Sequence, residues 1–182
     1  MKKAVFLDKD GTLIKNIPYN VNPDFIEFLP HVIPGLQLLS AANYQLVIVT
    51  NQSGVAKGYF QEKDLDKVEE KIRKEMSHYE VGLSGFYFCP HHPEGIVPKY
   101  TRSCLCRKPM PGLILEAAKD LGSDLSLSWT VGDIPDDIEA GRLAGTKTAL
   151  VNFSGQNFVE IAKKIINQTR ESKYYQFNFR QT

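Results

Sequence analysis

The chain reads as an α/β protein of the doubly wound, Rossmann-like kind: a parallel sheet with helices on both faces. Three observations predict this. Short apolar runs recur along the chain, several of them end abruptly in polar residues, and amphipathic helical periods fill the stretches between them.

The first run, Ala4 to Leu7, is β-compatible and meets the turn-rich Asp8-Lys9-Asp10-Gly11-Thr12 at once, so it predicts a buried strand ending in a functional loop. Leu36, Leu38, Leu39 and Ala42 predict a helix after Pro34. The continuous run Leu46-Val47-Ile48-Val49 then predicts a second strand, which ends at Thr50-Asn51-Gln52-Ser53-Gly54. Between Glu62 and Glu80, Leu65, Val68, Ile72 and Met76 recur at three- and four-residue intervals with charged residues on the other face, the period of an amphipathic helix. Phe86-Tyr87-Phe88 predicts a third strand. Beyond a stretch rich in Pro, His and Cys, a helix is expected over Leu113–Leu121, a strand over Leu127–Val131, a helix over Pro135–Ala144, a strand over Thr148–Val151 and a last helix around Asn157–Asn167. Ligands of such sheets lie at the carboxyl ends of the strands, near the point where strand order reverses.

With 182 residues and 42% hydrophobic content the chain suffices for one core. We expect one domain over 1–168, including a loop over 89–106, and a polar and aromatic tail over 169–182 with the composition of a mobile end. The net charge is +1 and neither sign forms long blocks, which argues against a nucleic-acid partner. No apolar stretch near the start reaches the length of a signal core or a membrane span, so a cytoplasmic protein without a membrane partner is expected.

Two carboxylates one residue apart at a strand end can converge on a cation if the strand unwinds there, and oxygen ligands suit Mg²⁺. A carboxylate also serves as a covalent phosphoryl acceptor while its neighbour protonates the departing oxygen and later activates water. Taken singly, each residue has a plainer explanation: Asp8 and Asp10 an Asx-turn before Gly11, Thr50 a helix N-cap, Lys108 a solvated charge, Asp133 a turn residue. Their placement at successive strand ends argues for chemistry.

Asp8-Lys9-Asp10-Gly11-Thr12, Thr50-Asn51, Lys108-Pro109 and Gly132-Asp133 with Asp137 resemble the four ordered motifs of the haloacid dehalogenase superfamily over residues 4 to about 151. The resemblance implies that Asp8 is the nucleophile and Asp10 the acid/base, that Thr50 and Lys108 hold the transferring phosphoryl group, and that Mg²⁺ sits between Asp8, the Asp10 backbone carbonyl and Asp133. Asp137 is expected to support the metal site, with Asp136 as an acidic neighbour. An Asp two positions after the nucleophile marks the phosphohydrolases and phosphotransferases of the superfamily, which favours a phosphatase.

Cys89-Pro90-His91 and, after twelve residues, Cys104-Leu105-Cys106 offer the four ligands of a closed Zn²⁺ site. Pro93, Gly95 and Pro98 lie between them with few large apolar groups, so a metal would hold a loop that lacks a core. Three reduced thiols and a loop histidine are the plain alternative, and the spacing differs from that of a redox pair. His92 is read as a surface residue.

The segments Tyr87 to Pro93, Cys104 to Pro109 with Gly112, and Val49 to Ala56 with Gly58 resemble the heptose 1,7-bisphosphate phosphatases and the related histidinol-phosphate phosphatase domains. This resemblance implies a structural zinc, substrate recognition by Arg107, and substrate contacts from Asn16, Tyr19, Asn51, Gln52 and Ser53. The residue after Asp133 is Ile134, where that group often carries Lys, so a cation beside the metal is missing. Expected, then, is removal of the C7 phosphate of a heptose 1,7-bisphosphate, with histidinol phosphate as the alternative substrate. A non-catalytic binding module built on the zinc loop is the alternative of another class, and a nucleic-acid 3′-phosphatase a third. With no large cap domain, the site should be open, and the chain a monomer acting on a small phosphorylated sugar.

Overall fold

The computed structural model describes residues 2–151 and 158–178, the last ten as backbone. Five parallel strands form one sheet: β1 (Lys3–Leu7), β2 (Tyr44–Asn51), β3 (Gly85–Cys89), β4 (Trp129–Gly132) and β5 (Lys147–Leu150), in the order β3-β2-β1-β4-β5. Five helices accompany them: α1 (Val32–Ala41), α2 (Asp64–His78), α3 (Gly112–Leu121), α4 (Pro135–Ala144) and α5 (Phe158–Asn178). The chain builds the sheet outward from β1 through β2 to β3, then crosses to β4 and β5 on the other side. The reversal therefore falls between β1 and β4, and their carboxyl ends carry Asp8 and Asp133.

Both faces of the sheet are covered, which explains why its strands read as unbroken apolar runs. Val5, Leu7, Leu46 and Ile48 face Leu36 and Leu39 of α1, Val68, Ile72 and Met76 of α2, and Phe158, Ile161 and Ile165 of α5. Ala4, Phe6, Val47 and Val49 face the other way, toward Leu113, Ile114 and Ala117 of α3 and Ala140 and Ala144 of α4. A slip of one residue in β1 would exchange these two sets, so packing as well as the ladder fixes where Asp8 emerges. The Asp8 N–H donates to the Val131 carbonyl at 2.9 Å, tying the loop after β1 to β4.

The predicted elements are all present, with instructive differences at their ends. Helix α1 begins at Val32, ahead of Pro34, which sits in the first turn where its missing donor costs nothing. Leu38, counted in the apolar set of that helix, faces outward and is 37% exposed. Strand β2 continues through Thr50 and Asn51, and Leu125–Leu127 forms a 3-10 turn before β4 starts at Trp129. Helix α5 runs to Asn178, so most of the expected 169–182 tail is helical. The first half of that helix is anchored by Phe158, Ile161 and Ile165. Residue 157, the expected start of this helix, and residues 179–182 lie outside the described residues. No large cap interrupts the described residues, and no helix among them is long and apolar enough to cross a membrane.

Candidate active site

The carboxyl ends of β1, β2 and β4 open onto a cavity of about 360 Å³ lined by Asp8, Asp10, Thr50, Gln52, Lys108 and Asp133. Its outer wall comes from the loop Asn16–Asn20, from Asn51 at the end of β2 with Ser53 and Gly54 beyond it, and from Ile134. Residues more than a hundred positions apart thus face one another because parallel strands present all their carboxyl ends at one edge.

Lys108 enters this edge from the loop before α3 and is 3% exposed. Its ammonium lies 2.5 Å from Asp8 Oδ1 and 2.5 Å from Asp137 Oδ1, and donates to the Val49 carbonyl at 3.0 Å. Three acceptors match its three donors. Burial pulls its pKa down, but Asp8 and Asp137 more than offset this, so the group stays charged with a raised pKa. Asp8 is pushed up to about 6, chiefly by burial, against the pull of Lys108 and with added repulsion from Asp137.

Asp137 is fully buried in the first turn of α4. One carboxylate oxygen accepts from the Ile134 N–H at 3.2 Å and the other meets Lys108, so it caps the helix and orients the lysine at once. A Cβ on Gly132 would overlap the Asp137 carboxylate, which is why only glycine closes β4 there. Asp133 accepts from the Thr12 hydroxyl at 2.9 Å and is pushed up by burial, with Thr12 opposing and Asp137 adding to the shift. Gly11, at φ +88°, leaves the space that Asp133 occupies.

Asp8, Asp133 and Asp137 bring carboxylate oxygens within 4.8 Å of one another. Octahedral Mg²⁺ with bonds of about 2.1 Å spans ligand separations of roughly 3 to 4.2 Å, a range that lies inside this limit. The charge fits as well: three carboxylates against the single Lys108 ammonium leave two negative charges, the complement of a divalent cation. The Asp10 carboxylate stands apart from this group. Its Oδ1 is paired at 2.7 Å with Lys9, which is 1% exposed, and its Oδ2 accepts from Gln52 at 3.0 Å.

Cys89, at the end of β3, gathers with His91, Cys104 and Cys106 so that one ligand atom from each lies within 4.8 Å of the rest. The three sulfurs are 3.0 to 3.5 Å apart, and His91 Nδ1 is 3.3 Å from Cys106 Sγ and 3.7 Å from Cys89 Sγ. Such separations are far beyond a disulfide bond and slightly inside the roughly 3.8 Å edge of a tetrahedron with Zn–S bonds of about 2.3 Å. Burial, with help from Arg102, lowers the pKa of His91 and favours the neutral ligand form, and Arg102 Nη2 lies 2.8 Å from the outer ring nitrogen Nε2. The donor set and its geometry fit zinc. His92 is outside the cluster, its Nδ1 accepting from the Glu94 N–H at 3.1 Å.

The structure brings Asp8, Asp10, Thr50, Lys108 and Asp133 together, and Asn16, Tyr19, Asn51, Gln52 and Ser53 line the same cavity. Arg107 is the exception: its guanidinium turns toward the Cys/His loop, with Nη1 3.5 Å from the His91 carbonyl, and it does not line the cavity. Asp136 is exposed, whereas Asp137 belongs to the carboxylate group itself. Sequence reasoning gave Asp137 only a supporting part, because nothing in a linear motif shows that the first helical turn folds its third residue back over Gly132. Lys9 is readable as a cation near the pocket, but its pairing with Asp10 was equally hidden; a charged residue between two aspartates gives no sign that it is buried.

A family model described as polynucleotide kinase 3 phosphatase matches residues 3–173. The D-glycero-beta-D-manno-heptose-1,7-bisphosphate 7-phosphatase of Pasteurella multocida is 42% identical, over 94% of this chain and 93% of its own. A D-glycero-alpha-D-manno-heptose-1,7-bisphosphate 7-phosphatase of Photorhabdus laumondii is 38% identical over 79% of this chain and 78% of its own. Among solved structures, an HAD-like phosphatase of Mesorhizobium loti superposes with a TM-score of 0.81 at 28% identity, covering 92% of this chain and 87% of that one. The D,D-heptose 1,7-bisphosphate phosphatase of B. bronchiseptica, solved with magnesium and phosphate, shares the fold with a TM-score of 0.75 at 24% identity, covering 91% and 99%. The chain therefore belongs to the haloacid-dehalogenase-type phosphatases, in the family that the polynucleotide kinase 3 phosphatase model and the heptose-1,7-bisphosphate 7-phosphatases share.

Proposed function

We propose that this chain hydrolyses the C7 phosphate of D-glycero-D-manno-heptose 1,7-bisphosphate through a phosphoryl-aspartate on Asp8. The observation that carries the reaction type is the convergence of Lys108 on Asp8 and Asp137 beside Asp133, with Asp10 held separately a few residues on. The substrate rests on relatives of both anomeric names at up to 42% identity over most of the chain. Its net charge of +1 and a cavity of about 360 Å³ favour a small sugar over the polynucleotide named by the family model.

Lys108 occupies Asp8 Oδ1 and so leaves Oδ2 to attack phosphorus. As the new P–O bond forms, the bond from phosphorus to the sugar oxygen breaks, and Asp10 delivers its proton to that oxygen. Water then attacks the phosphorus, Asp10 takes the water's proton, and the bond to Asp8 breaks to release phosphate. Throughout, the Thr50 hydroxyl holds an equatorial oxygen and the Lys108 charge, fixed by its three acceptors, offsets the charge on the phosphoryl group, so positioning and charge neutralisation do most of the catalysis. Mg²⁺ bound by Asp8 and Asp133, with the Asp10 carbonyl and Asp137 beside them, would neutralise the phosphoryl charge. Zn²⁺ on Cys89, His91, Cys104 and Cys106 would hold the loop that delivers Lys108. We propose that the enzyme works in the cytoplasm as a monomer and supplies activated heptose for lipopolysaccharide and other surface glycoconjugates.

The test is Mg²⁺-dependent phosphate release from both anomers of the heptose bisphosphate and from histidinol phosphate. We expect kcat/KM at least tenfold higher for a heptose bisphosphate, a factor worth about 1.4 kcal/mol, and no turnover by Asp8→Asn. Preference for histidinol phosphate would overturn the substrate, and an active Asp8→Asn enzyme would overturn the mechanism.

A further inference from the structure

Gln52 is 6% exposed and its amide nitrogen makes two hydrogen bonds: it donates at 3.0 Å to Asp10 Oδ2 and at 3.0 Å to Thr50 Oγ1. Its backbone N–H donates to the Cys89 carbonyl at 2.8 Å, which anchors the residue where β2 ends beside β3. A primary amide has two N–H groups, and both are committed to residues of the catalytic set. The Thr50 hydroxyl that accepts one of them keeps its own proton for another acceptor, and the Asp10 oxygen that accepts the other is fixed against rotation, with Lys9 holding Oδ1.

We infer that Gln52 is a positioning residue for the phosphoryl transfer. Its amide bridges Asp10 and Thr50 so that the proton donor faces the departing oxygen while the Thr50 O–H points at a phosphoryl oxygen. This goes beyond the substrate contact that the family resemblance implies for this position, and it rests on the acid/base role proposed for Asp10. One amide thereby couples the two halves of the transition state: proton delivery at one end, and oxygen binding at the phosphoryl group.

Proton delivery matters in proportion to how poor the leaving group is, and this separates the bridge from a general structural role. An alkyl phosphate needs its oxygen protonated as it departs, whereas p-nitrophenolate leaves unaided. The measurement is kcat/KM, which includes leaving-group departure, for an alkyl phosphate and for p-nitrophenyl phosphate in Gln52→Ala, in the near-isosteric Gln52→Glu and in Asp10→Asn. Both Gln52 variants should lose roughly tenfold on the aryl ester, the share that passes through Thr50, and at least a further tenfold on the alkyl ester, within the range that general acid catalysis supplies. The ratio of the two esters on one preparation does not depend on how much of it is folded. Equal losses on both esters in the Gln52 variants, with Asp10→Asn discriminating between them, would overturn the bridge alone. If Asp10→Asn itself fails to discriminate, the acid/base assignment falls and this inference with it.

Discussion

Asn51 and Lys108 hold each other by a closed pair of hydrogen bonds: Asn51 Nδ2 donates to the Lys108 carbonyl at 3.1 Å, and the Lys108 N–H donates to Asn51 Oδ1 at 3.0 Å. The pair joins the end of β2 to the loop that leaves the Cys/His cluster, and fixes the backbone from which the Lys108 side chain reaches Asp8. With both polar ends of its amide engaged on the protein, Asn51 acts on the chemistry through Lys108. Asn51→Ala should lower kcat by about 100-fold, the order of loss that a misplacement near 1 Å produces, and move KM less than threefold. Asn51→Asp should do no better, since a carboxylate can accept from the Lys108 N–H but cannot donate to its carbonyl. Steady-state kinetics on any turned-over phosphate ester decide it; a rise in KM with kcat preserved would make Asn51 a substrate contact instead.

The Asp8 carboxyl gives the protein a definite pH signature before any metal binds. Its pKa is pushed up to about 6 by burial, with Lys108 opposing and Asp137 adding to the rise. A carboxyl whose folded pKa lies above its unfolded one contributes stability that is complete below pH 4 and is lost as pH rises through about 6. The metal-free protein therefore carries an unfavourable charge at neutral pH, which a bound cation relieves. Thermal melts should show a Mg²⁺-induced rise in Tm that is small at pH 5 and grows to its full value by pH 7.5. Asp8→Asn should melt no lower than the metal-free wild type at pH 7.5 and lose most of the Mg²⁺ shift. A shift independent of pH, or one retained in Asp8→Asn, would place the cation elsewhere.

How much of this was legible in the sequence depended on whether the information was local. Val5 and Leu7 against Ala4 and Phe6 announce a doubly covered strand, so β1 and the exit point of Asp8 follow from the pattern alone. The same holds for Cys89, His91, Cys104 and Cys106, whose paired spacing already implied the cluster that the fold closes. What could not be read are relationships that exist only once β2, β4 and α4 lie side by side. Asp137 reaches Lys108 because Gly132 lacks a side chain, and Gln52 reaches Asp10 because β2 neighbours β1. The outward turn of Arg107 belongs to the same class, since the family motif shows a cation beside Lys108 but not which way the loop backbone aims it.

Loss of zinc should reach the active site through the loop between the ligands and Lys108, because Cys106 is two residues from the lysine. Metal analysis of the purified protein should give one zinc per chain, and Cys106→Ala should abolish it. The cluster sits at the edge of the sheet, where Cys89 ends the outermost strand β3 and Cys104 and Cys106 pack beside it, so the variant should keep its far-ultraviolet circular dichroism while its turnover falls roughly 100-fold through displacement of Lys108. Full activity in a zinc-free Cys106→Ala protein would show that Asn51 and the two carboxylates suffice to hold Lys108 in place.

Behind the Tyr19 wall of the cavity stands a cation suited to a substrate with a second negative group. Lys57 Nζ donates to the Tyr19 hydroxyl at 2.9 Å, and Tyr19 lines the cavity while its ring lies against that of Tyr59 with centroids 4.5 Å apart. The turn bearing Lys57 is docked on the zinc loop, as the Ala56 carbonyl accepts from the N–H groups of Ile96 at 2.8 Å and Val97 at 3.0 Å. Lys57 and Arg107 both lie close enough to His92 to lower its pKa, after burial, so positive charge gathers on the zinc-cluster side of Tyr19, outside the cavity lining. Ile134 and Ile17 give the rim exposed apolar surface, which leaves the Lys57 side as the place for an anion. Lys57→Ala should therefore raise KM for a sugar bisphosphate roughly fivefold, as expected of a solvent-screened pair, with kcat unchanged. For a monophosphate such as histidinol phosphate, KM should stay within twofold, because that substrate has no second phosphate to lose a partner. The effect on the bisphosphate should also shrink as ionic strength rises from 0.05 to 0.5 M, since screening removes the same attraction in the wild type. An equal rise in KM for both substrates would assign Lys57 to shaping the Tyr19 wall, and no rise for either would leave the second phosphate to Arg107.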